Sequence, residues 1–233
     1  TLGAADALLT RLLAELSGGP GAALGAGQPT VVRAGALRAI EADLRRYLRH
    51  EAATGAQWRP FGLELRFGFQ DEQDERPSLP PLELGEGEDH VRIRGMIDRV
   101  DVDPAGRAVV RDYKSGAGRP DWPAARWSAD RRLQVALYLV VVRELTELEP
   151  VAGFYQPLRG DDLRARGLYS LEAGVSGVVD RDGRSPEEFS ALLDDAAQRA
   201  IAVAARLRAG RLEPCPQTCS RDGCAYPGIC RSQ

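Results

Sequence analysis

Two β-strand patterns separated by a short turn limit most strongly how this chain can fold. Residues 91–102 and 107–114 are rich in β-branched residues, and the segment Asp103-Pro104-Ala105-Gly106 between them suits a tight turn, with proline at its second position and glycine at a left-handed one. We therefore predict a β-hairpin. A loop of three residues, 104–106, would pair Asp103 with Arg107 and so set the register of both strands.

This register brings three charged side chains together. It places Asp98 directly opposite Asp112, with Cβ atoms about 5 Å apart, and Lys114 two residues further along the same face. Two carboxylates at that spacing repel each other unless a cation lies between them, and Mg²⁺ is a hard cation that binds carboxylate oxygens and water. The pattern predicts a divalent-cation site. The alternative is an ordinary surface ion pair between Lys114 and one aspartate.

The composition draws attention to Lys114. The chain has 31 basic residues, of which 30 are arginine and this one is lysine. Arginine is effectively always charged and cannot give up a proton, whereas a lysine can orient or deprotonate a water molecule and offset charge on a phosphate in its transition state. We expect Lys114 to stand where arginine cannot replace it.

Charge and hydropathy exclude other classes of protein. A net charge of −3 argues against a basic surface that coats nucleic acid, although a local basic groove is compatible with it. The longest apolar stretch, residues 133–142, is about half as long as the roughly 20 residues that a membrane-spanning helix needs. We therefore predict a cytoplasmic protein with no membrane partner. Because its single methionine is Met96, we expect the chain to be part of a longer protein.

The remaining patterns predict an α/β fold, with a mixed central β-sheet flanked by helices. Helical periodicity is found at residues 2–16, 31–52 and 130–145, and a capping box at Ser185 opens a helix that ends at Gly210. Strand patterns cover residues 61–69, 151–158 and 167–171, and in the first of these the apolar residues alternate with Glu64 and Arg66. We divide the chain into a helical segment (1–58), a core (59–210) and a Cys-rich tail (211–233).

Two polar side chains stand out in the predicted 130–145 helix. Gln134 and Tyr138 are four residues apart and therefore share a face of that helix. Gln134 is the only strongly polar residue in the stretch 133–142, and a buried amide needs a hydrogen-bond partner. An ordinary core glutamine and tyrosine are one interpretation. Beside the carboxylates, the pair would instead brace Lys114 and contact the backbone of a DNA substrate.

The order of these motifs resembles the PD-(D/E)xK nucleases of the RecB type, and most closely the nuclease domain at the end of AddB subunits of bacterial helicase–nucleases. The resemblance runs from about residue 60 to the C-terminus, and the motif order is specific although each motif alone is not. It implies a restriction-endonuclease-like core that hydrolyses DNA phosphodiesters with Mg²⁺ or Mn²⁺. The motifs are Glu64 in a strand, Asp98 in GMIDRVD, Asp112 and Lys114 in DYKSG, Gln134 and Tyr138 in LQVALY, and the cysteine tail.

The resemblance also implies a setting and a role for each residue. The partners would be DNA and a helicase domain or partner subunit, and the activity exonucleolytic processing of double-strand breaks for recombination. Two alternatives remain open: a catalytically inactive nuclease fold that binds DNA or acts as a scaffold, and a zinc-tail interaction domain with incidental acids. The implied roles are metal ligand for Asp98 and Asp112, catalytic lysine for Lys114, supporting acid for Glu64, and neighbouring support for Gln134 and Tyr138.

One motif of such nucleases is missing from this sequence. They usually carry a histidine in a helix of the form GxxxH, and neither His50 nor His90 stands in such a motif. We expect both of these histidines to be solvated. The family histidine would then either lie upstream of Thr1 or be dispensable for the metal site.

All four cysteines lie in the last 19 residues, which is typical of a metal site and not of a disulfide framework. Four thiolates suit either a [4Fe–4S] cluster or tetrahedral Zn²⁺. Related nucleases hold a [4Fe–4S] cluster with one upstream cysteine, which this chain lacks. We predict the cluster, with zinc and free thiols as the alternatives, and a structural role that fastens the tail to the fold. The cysteines are Cys215, Cys219, Cys224 and Cys230, spaced C-x3-C-x4-C-x5-C.

Overall fold

The computed structural model describes residues 1–18, 30–55, 57–69, 76–116, 123–127 and 132–212. This part of the chain contains five α-helices and eight β-strands. The helices are α1 (Leu2–Gly18), α2 (Thr30–Thr54), α3 (Ala124–Trp127), α4 (Gln134–Leu145) and α5 (Pro186–Arg208). The strands are β1 (Arg59–Phe67), β2 (Leu82–Leu84), β3 (Val91–Ile93), β4 (Gly95–Val102), β5 (Arg107–Lys114), β6 (Glu149–Pro157), β7 (Arg166–Ser170) and β8 (Gly183–Arg184).

Six of these strands form one mixed sheet in the order β1-β4-β5-β6-β7-β8, and β2 pairs with β3 in a separate ribbon. β4 is antiparallel to β1 and to β5, whereas β5 and β6 are parallel. A parallel pair needs a crossover connection, and the segment between β5 and β6 that contains α3 and α4 provides it. The predicted α/β fold with a mixed central sheet and flanking helices is confirmed.

The hairpin of β4 and β5 has the predicted turn and register. Asp103 Oδ1 accepts hydrogen bonds from the backbone N–H of Ala105 at 2.9 Å and of Arg107 at 3.0 Å. Gly106 adopts φ +82°, which a side chain would disfavour. Val102 pairs with Ala108 and the register continues to Arg99 opposite Arg111. The loop therefore has three residues, as the sequence predicts.

Helix α4 fills the main core between the sheet and α5. It is apolar around most of its circumference because it is covered on both sides, and Val135, Leu139 and Val142 are fully buried. Gly153 in β6 allows the close approach, since a Cβ at that position would lie 2.7 Å from side-chain atoms of both Val135 and Leu139. This packing holds the first turns of α4 against the middle of β6.

Helix α5 begins with the predicted capping box. Ser185 Oγ accepts from the Glu188 N–H, and the Glu188 carboxylate accepts from the Ser185 N–H, both at 3.2 Å. Gly210 adopts φ +70° just beyond the helix end. Phe189 and Leu193 of this helix are buried against the core that contains α4.

The other face of the sheet is covered in part by α2. A second core cluster includes Trp58, Val109 and Phe154 on this face. Arg46 of α2 donates to the backbone oxygen of Gly160 at 3.1 Å, so the helix is attached to the loop after β6. α1 packs against α2.

The predicted faces of the first strand are partly wrong. Phe61 and Leu63 are 51% and 67% exposed, although the alternation predicts them on the same face as Leu65 and the buried Phe67. The register of β1 shifts between Pro60 and Gly62, and Glu64 adopts φ +49°. The regular alternation of strand faces therefore breaks within β1, and only its second half faces the core.

Three further predictions concern the whole chain. None of the described helices is long and apolar enough to cross a membrane. The predicted division at residues 58 and 210 stays a prediction. The cysteine tail, residues 213–233 in particular, lies outside the described residues, and so do the first residues of the predicted 130–145 helix, up to residue 131.

Candidate active site

The two predicted aspartates meet where β4 separates from β5. The last paired residues are Arg99 and Arg111, so Asp98 and Asp112 are the next residues in register. At this point Asp98 Oδ2 accepts a hydrogen bond from the backbone N–H of Tyr113 at 2.7 Å. The Asp98 side chain thus takes the place of a strand partner and is held toward β5.

Asp112 is almost completely buried, with 3% of its surface exposed, and forms an ion pair with Lys114 Nζ. The pKa of Asp112 is raised overall. Burial is the main cause, because a charge is poorly solvated there, and the negative charge of Asp98 adds to it, while the Lys114 ammonium lowers the pKa. One ammonium group therefore does not fully compensate the charge of this carboxylate pair. A further cation would be favoured beside it.

Helix α4 contributes the predicted polar pair. Lys114 Nζ donates to Gln134 Oε1 at 3.4 Å, and Gln134 Nε2 donates to the Tyr138 hydroxyl at 3.1 Å. The Tyr138 ring packs edge-on against Phe67, with 6.3 Å between centroids. Burial raises the pKa of Tyr138, and the negative charges of Asp112 and Asp98 raise it further, while the hydrogen bond from Gln134 lowers it. Tyr138 is therefore a neutral hydroxyl near the carboxylates.

A second tyrosine, Tyr155, contacts Lys114. Lys114 Nζ is 5.5 Å from the centroid of the Tyr155 ring, within the range of a cation–π contact. Burial raises the pKa of Tyr155 to about 12. A backbone hydrogen bond from Val135 lowers this pKa in part, and the negative charge of Asp112 raises it. No local sequence pattern marks Tyr155 as a site residue, because its position beside Asp112 depends on the parallel pairing of β5 with β6.

Glu64 lies on the neighbouring strand but does not complete a cluster. Leu63 pairs with Arg99 and Leu65 with Ile97, which places Glu64 level with Asp98. Its side chain is exposed, and within the described residues no third histidine, cysteine or acidic residue joins the aspartates in a group that could hold a metal. Left-handed backbone at a residue other than glycine is uncommon and concentrates at functional sites. The role of Glu64 as a supporting acid stays a prediction.

With this geometry established, comparison with known proteins identifies the family. A sequence model of the PD-(D/E)XK nuclease superfamily matches residues 2–231. The chain belongs to this superfamily. It is also similar to an ATP-dependent helicase/deoxyribonuclease subunit of Moorella thermoacetica, with 29% identity over 249 residues that cover 82% of this chain and 21% of that protein. The chain therefore spans about a fifth of the length of this relative, and the predicted resemblance is confirmed.

Membership of the PD-(D/E)XK superfamily makes the position of the histidines informative. His90 Nε2 lies 3.3 Å from Glu83, and His50 on α2 lies against Gly177, so neither is placed among the site residues. His50 is partly buried, and this burial lowers its pKa. A histidine ligand is absent from the described part of the site.

The donor set of this PD-(D/E)XK site fits a hard divalent cation. Asp98 uses one carboxylate oxygen for the Tyr113 N–H, and no described residue donates to its other oxygen. Asp112 adds a second carboxylate with a raised pKa. Mg²⁺ is commonly bound by one or two carboxylates while water and phosphate oxygens fill its remaining positions. The pair of aspartates would therefore suffice as protein ligands.

Proposed function

We propose that this chain is a metal-dependent DNA nuclease domain that hydrolyses phosphodiester bonds, with Asp98 and Asp112 as the ligands of Mg²⁺ or Mn²⁺. The observation that carries the proposal is the meeting of a buried carboxylate, a second carboxylate and the single lysine of the chain at the end of two paired strands. Membership of the PD-(D/E)XK superfamily supports nuclease chemistry at this place.

Each side chain would act through contacts that it already makes. A bound divalent cation would activate water and neutralise charge on the phosphate. Lys114 would orient the attacking water, or would first release its own ammonium proton to solvent and then accept one from that water at Nζ, and its charge would stabilise the phosphate oxygens. Gln134 would hold Nζ in place through Oε1, and Tyr138 would hold the amide of Gln134.

The wider setting is part of the same proposal. The name of the Moorella relative, a helicase/deoxyribonuclease subunit, supports DNA as the substrate and a helicase domain or partner subunit as the partner. We place the activity in exonucleolytic processing of double-strand breaks for repair and recombination, in the cytoplasm. The Cys-rich tail would bind a [4Fe–4S] cluster, or Zn²⁺ as the alternative, and stabilise the C-terminal segment.

The test is cleavage of end-labelled DNA by the purified chain with Mg²⁺, with Mn²⁺ and with a chelator. We expect cleavage only with a divalent cation, and loss of cleavage with retained or improved DNA binding in Asp112→Asn, which removes a negative charge near the phosphates. Asp162→Asn is the matched control, because Asp162 forms its ion pair with Arg164, in the loop after β6. DNA binding without cleavage by the unaltered chain would favour the catalytically inactive alternative.

A further inference from the structure

A network of charged and polar side chains lies behind the candidate site, on the opposite face of β4 and β5. Arg99 and Arg111 are directly paired across the strands, an arrangement in which like charges repel. Asp101 compensates both: its Oδ1 accepts from Arg99 Nε at 2.7 Å and its Oδ2 from Arg111 Nε at 3.1 Å. Asp101 is 0% exposed, so these contacts replace water entirely.

Helix α2 supplies the second half of this network. Glu51 Oε1 accepts from Arg99 at 2.7 Å, and Glu51 Oε2 accepts from the Tyr47 hydroxyl at 3.0 Å. The hydroxyls of Tyr47 and Tyr113 lie 3.3 Å apart, and Arg99 also donates to the Tyr113 hydroxyl at 3.3 Å. The Tyr113 hydroxyl therefore has two partners: Arg99 on β4, and Tyr47 on α2, a helix much earlier in the chain.

The network is also attached to β6. Arg111 donates to Gln156 Oε1 at 3.1 Å, and Gln156 Nε2 donates to the backbone oxygen of Leu163 at 2.9 Å. Gln156 is 1% exposed. The network thus ties two site strands to α2 on one side and to the loop after β6 on the other.

Three strand members of the network are chain neighbours of site residues. Arg99 follows Asp98, Arg111 precedes Asp112, and Tyr113 separates Asp112 from Lys114. Successive residues of a strand point to opposite faces, so fixing one side chain fixes the backbone from which the next projects. The Tyr113 N–H makes this coupling direct, because it is the donor that binds Asp98 Oδ2 at 2.7 Å.

We propose that Tyr47, Glu51, Arg99 and Tyr113 are positioning residues, which hold the Tyr113 backbone N–H where it orients Asp98 for binding a divalent cation. The inference rests on the proposed function only in taking Asp98 as a cation ligand. It assigns α2 a role in the site, since this helix carries two members of the network. None of the four needs to touch substrate.

Stability alone does not account for the network. Replacing a buried ion pair by well-packed apolar residues is often neutral or stabilising, so buried charges are weak evidence for a purely structural role. This network also contains the Arg99–Arg111 cross-strand pair, in which two positive charges repel each other. Supporting residues behind metal ligands are a known way to fix ligand orientation, and their loss typically weakens metal binding about 10- to 100-fold.

The experiment compares Mn²⁺ affinity, measured by titration calorimetry, in the purified chain and in Tyr113→Phe and Glu51→Gln. These variants remove hydrogen bonds at nearly constant volume. We expect Mn²⁺ binding to weaken about tenfold or more in each, and exchange of the residue 113 amide hydrogen to become faster. DNA cleavage at limiting Mn²⁺ should show a reduced kcat at an unchanged KM for DNA, and excess Mn²⁺ should restore much of the rate.

The control is Asp182→Asn. Asp182 and Arg166 form a fully buried ion pair, 0% and 1% exposed, on the β7 side of the sheet. This variant should lower the melting temperature and leave Mn²⁺ affinity unchanged. Wild-type Mn²⁺ affinity in Tyr113→Phe and Glu51→Gln would overturn the proposal, as would failure of the unaltered chain to bind Mn²⁺. Normal Mn²⁺ binding without DNA cleavage would instead refute the proposed nuclease activity and leave the affinity comparison valid.

Discussion

Lys114→Arg separates a proton-handling lysine from a simple positive charge. Lys114 Nζ contacts Asp112 and lies 3.4 Å from Gln134 Oε1, and 27% of its side chain is exposed. An arginine can keep the ion pair with Asp112 and its charge toward a phosphate, but it cannot give up a proton. We expect Lys114→Arg to fold normally and bind DNA normally, yet to cleave nearly as poorly as Lys114→Ala.

The magnitudes follow from these contacts. Positioned proton transfer contributes about 10²- to 10⁴-fold to a rate, which corresponds to roughly 3–5 kcal/mol of barrier. Unpairing a buried ion pair costs about 3–5 kcal/mol of folding free energy. Because Lys114 is partly exposed and Asp112 has a raised pKa and can accept a proton, we expect about 1–2 kcal/mol for Lys114→Ala and less than about 0.5 kcal/mol for Lys114→Arg.

Three measurements on both variants decide the matter: the initial cleavage rate with saturating Mg²⁺, the free energy of unfolding in urea, and DNA affinity at several salt concentrations. Lys114→Ala should reduce the salt dependence by about one phosphate contact, whereas Lys114→Arg should preserve it. Arg164→Lys, on the surface at Asp162, is the control and should change none of these quantities. Near-normal cleavage by Lys114→Arg would refute the proton-handling role and favour a purely electrostatic one.

Three further predictions concern other parts of the chain. Burial alone raises the pKa of Glu51, but the charges of Arg111 and Arg99 and the hydrogen bonds from Tyr47 and Arg99 bring it below its ordinary 4.5. The ionised Glu51 therefore stabilises the fold fully above that pH, and this stabilisation is lost as the pH falls through the lowered pKa. Urea unfolding between about pH 3 and pH 6 should show a weaker pH dependence in Glu51→Gln than in the unaltered chain. Glu64→Gly should raise the free energy of unfolding by about 0.5–1 kcal/mol, because it relieves a left-handed backbone at φ +49°. Both Glu64→Gly and Glu64→Gln should reduce DNA cleavage. Normal cleavage by both variants would show that Glu64 is not part of the site. Elemental analysis of the purified chain should find stoichiometric iron, with visible absorbance, or zinc; finding neither metal would show that the prediction for the cysteine tail is wrong.

The features that the sequence predicts correctly depend on residues close together in the chain. The Asp103 turn and the Ser185 capping box are each decided within four positions, and their hydrogen bonds are present. The register of β4 and β5 follows from the turn, which is why the meeting of Asp98 and Asp112 could be predicted before any tertiary contact was known.

The features that escaped prediction depend on distant contacts. The break of alternation at Glu64 requires a backbone conformation that glutamate seldom adopts, and no local propensity indicates it. The ion pair of Glu51 with Arg99 joins residues 48 positions apart. Taken alone, an arginine in a strand is expected to point to solvent, and only the packing of α2 on the sheet removes that solvent.

The charge pattern of β4 and β5 nevertheless contained a signal for the hidden network. Charged residues occupy both faces of these paired strands: Asp98, Asp112 and Lys114 on one, Asp101 and its arginine partners on the other. A central strand with one catalytic face needs only one polar face, since the other is ordinarily apolar. Charges on both faces therefore require a second set of polar partners, and α2 meets this requirement with a tyrosine and a glutamate spaced four residues apart on one helical face. Tyr113 links the two sets of charges, because its hydroxyl accepts a hydrogen bond from Arg99 on one face while its backbone N–H donates to Asp98 on the other.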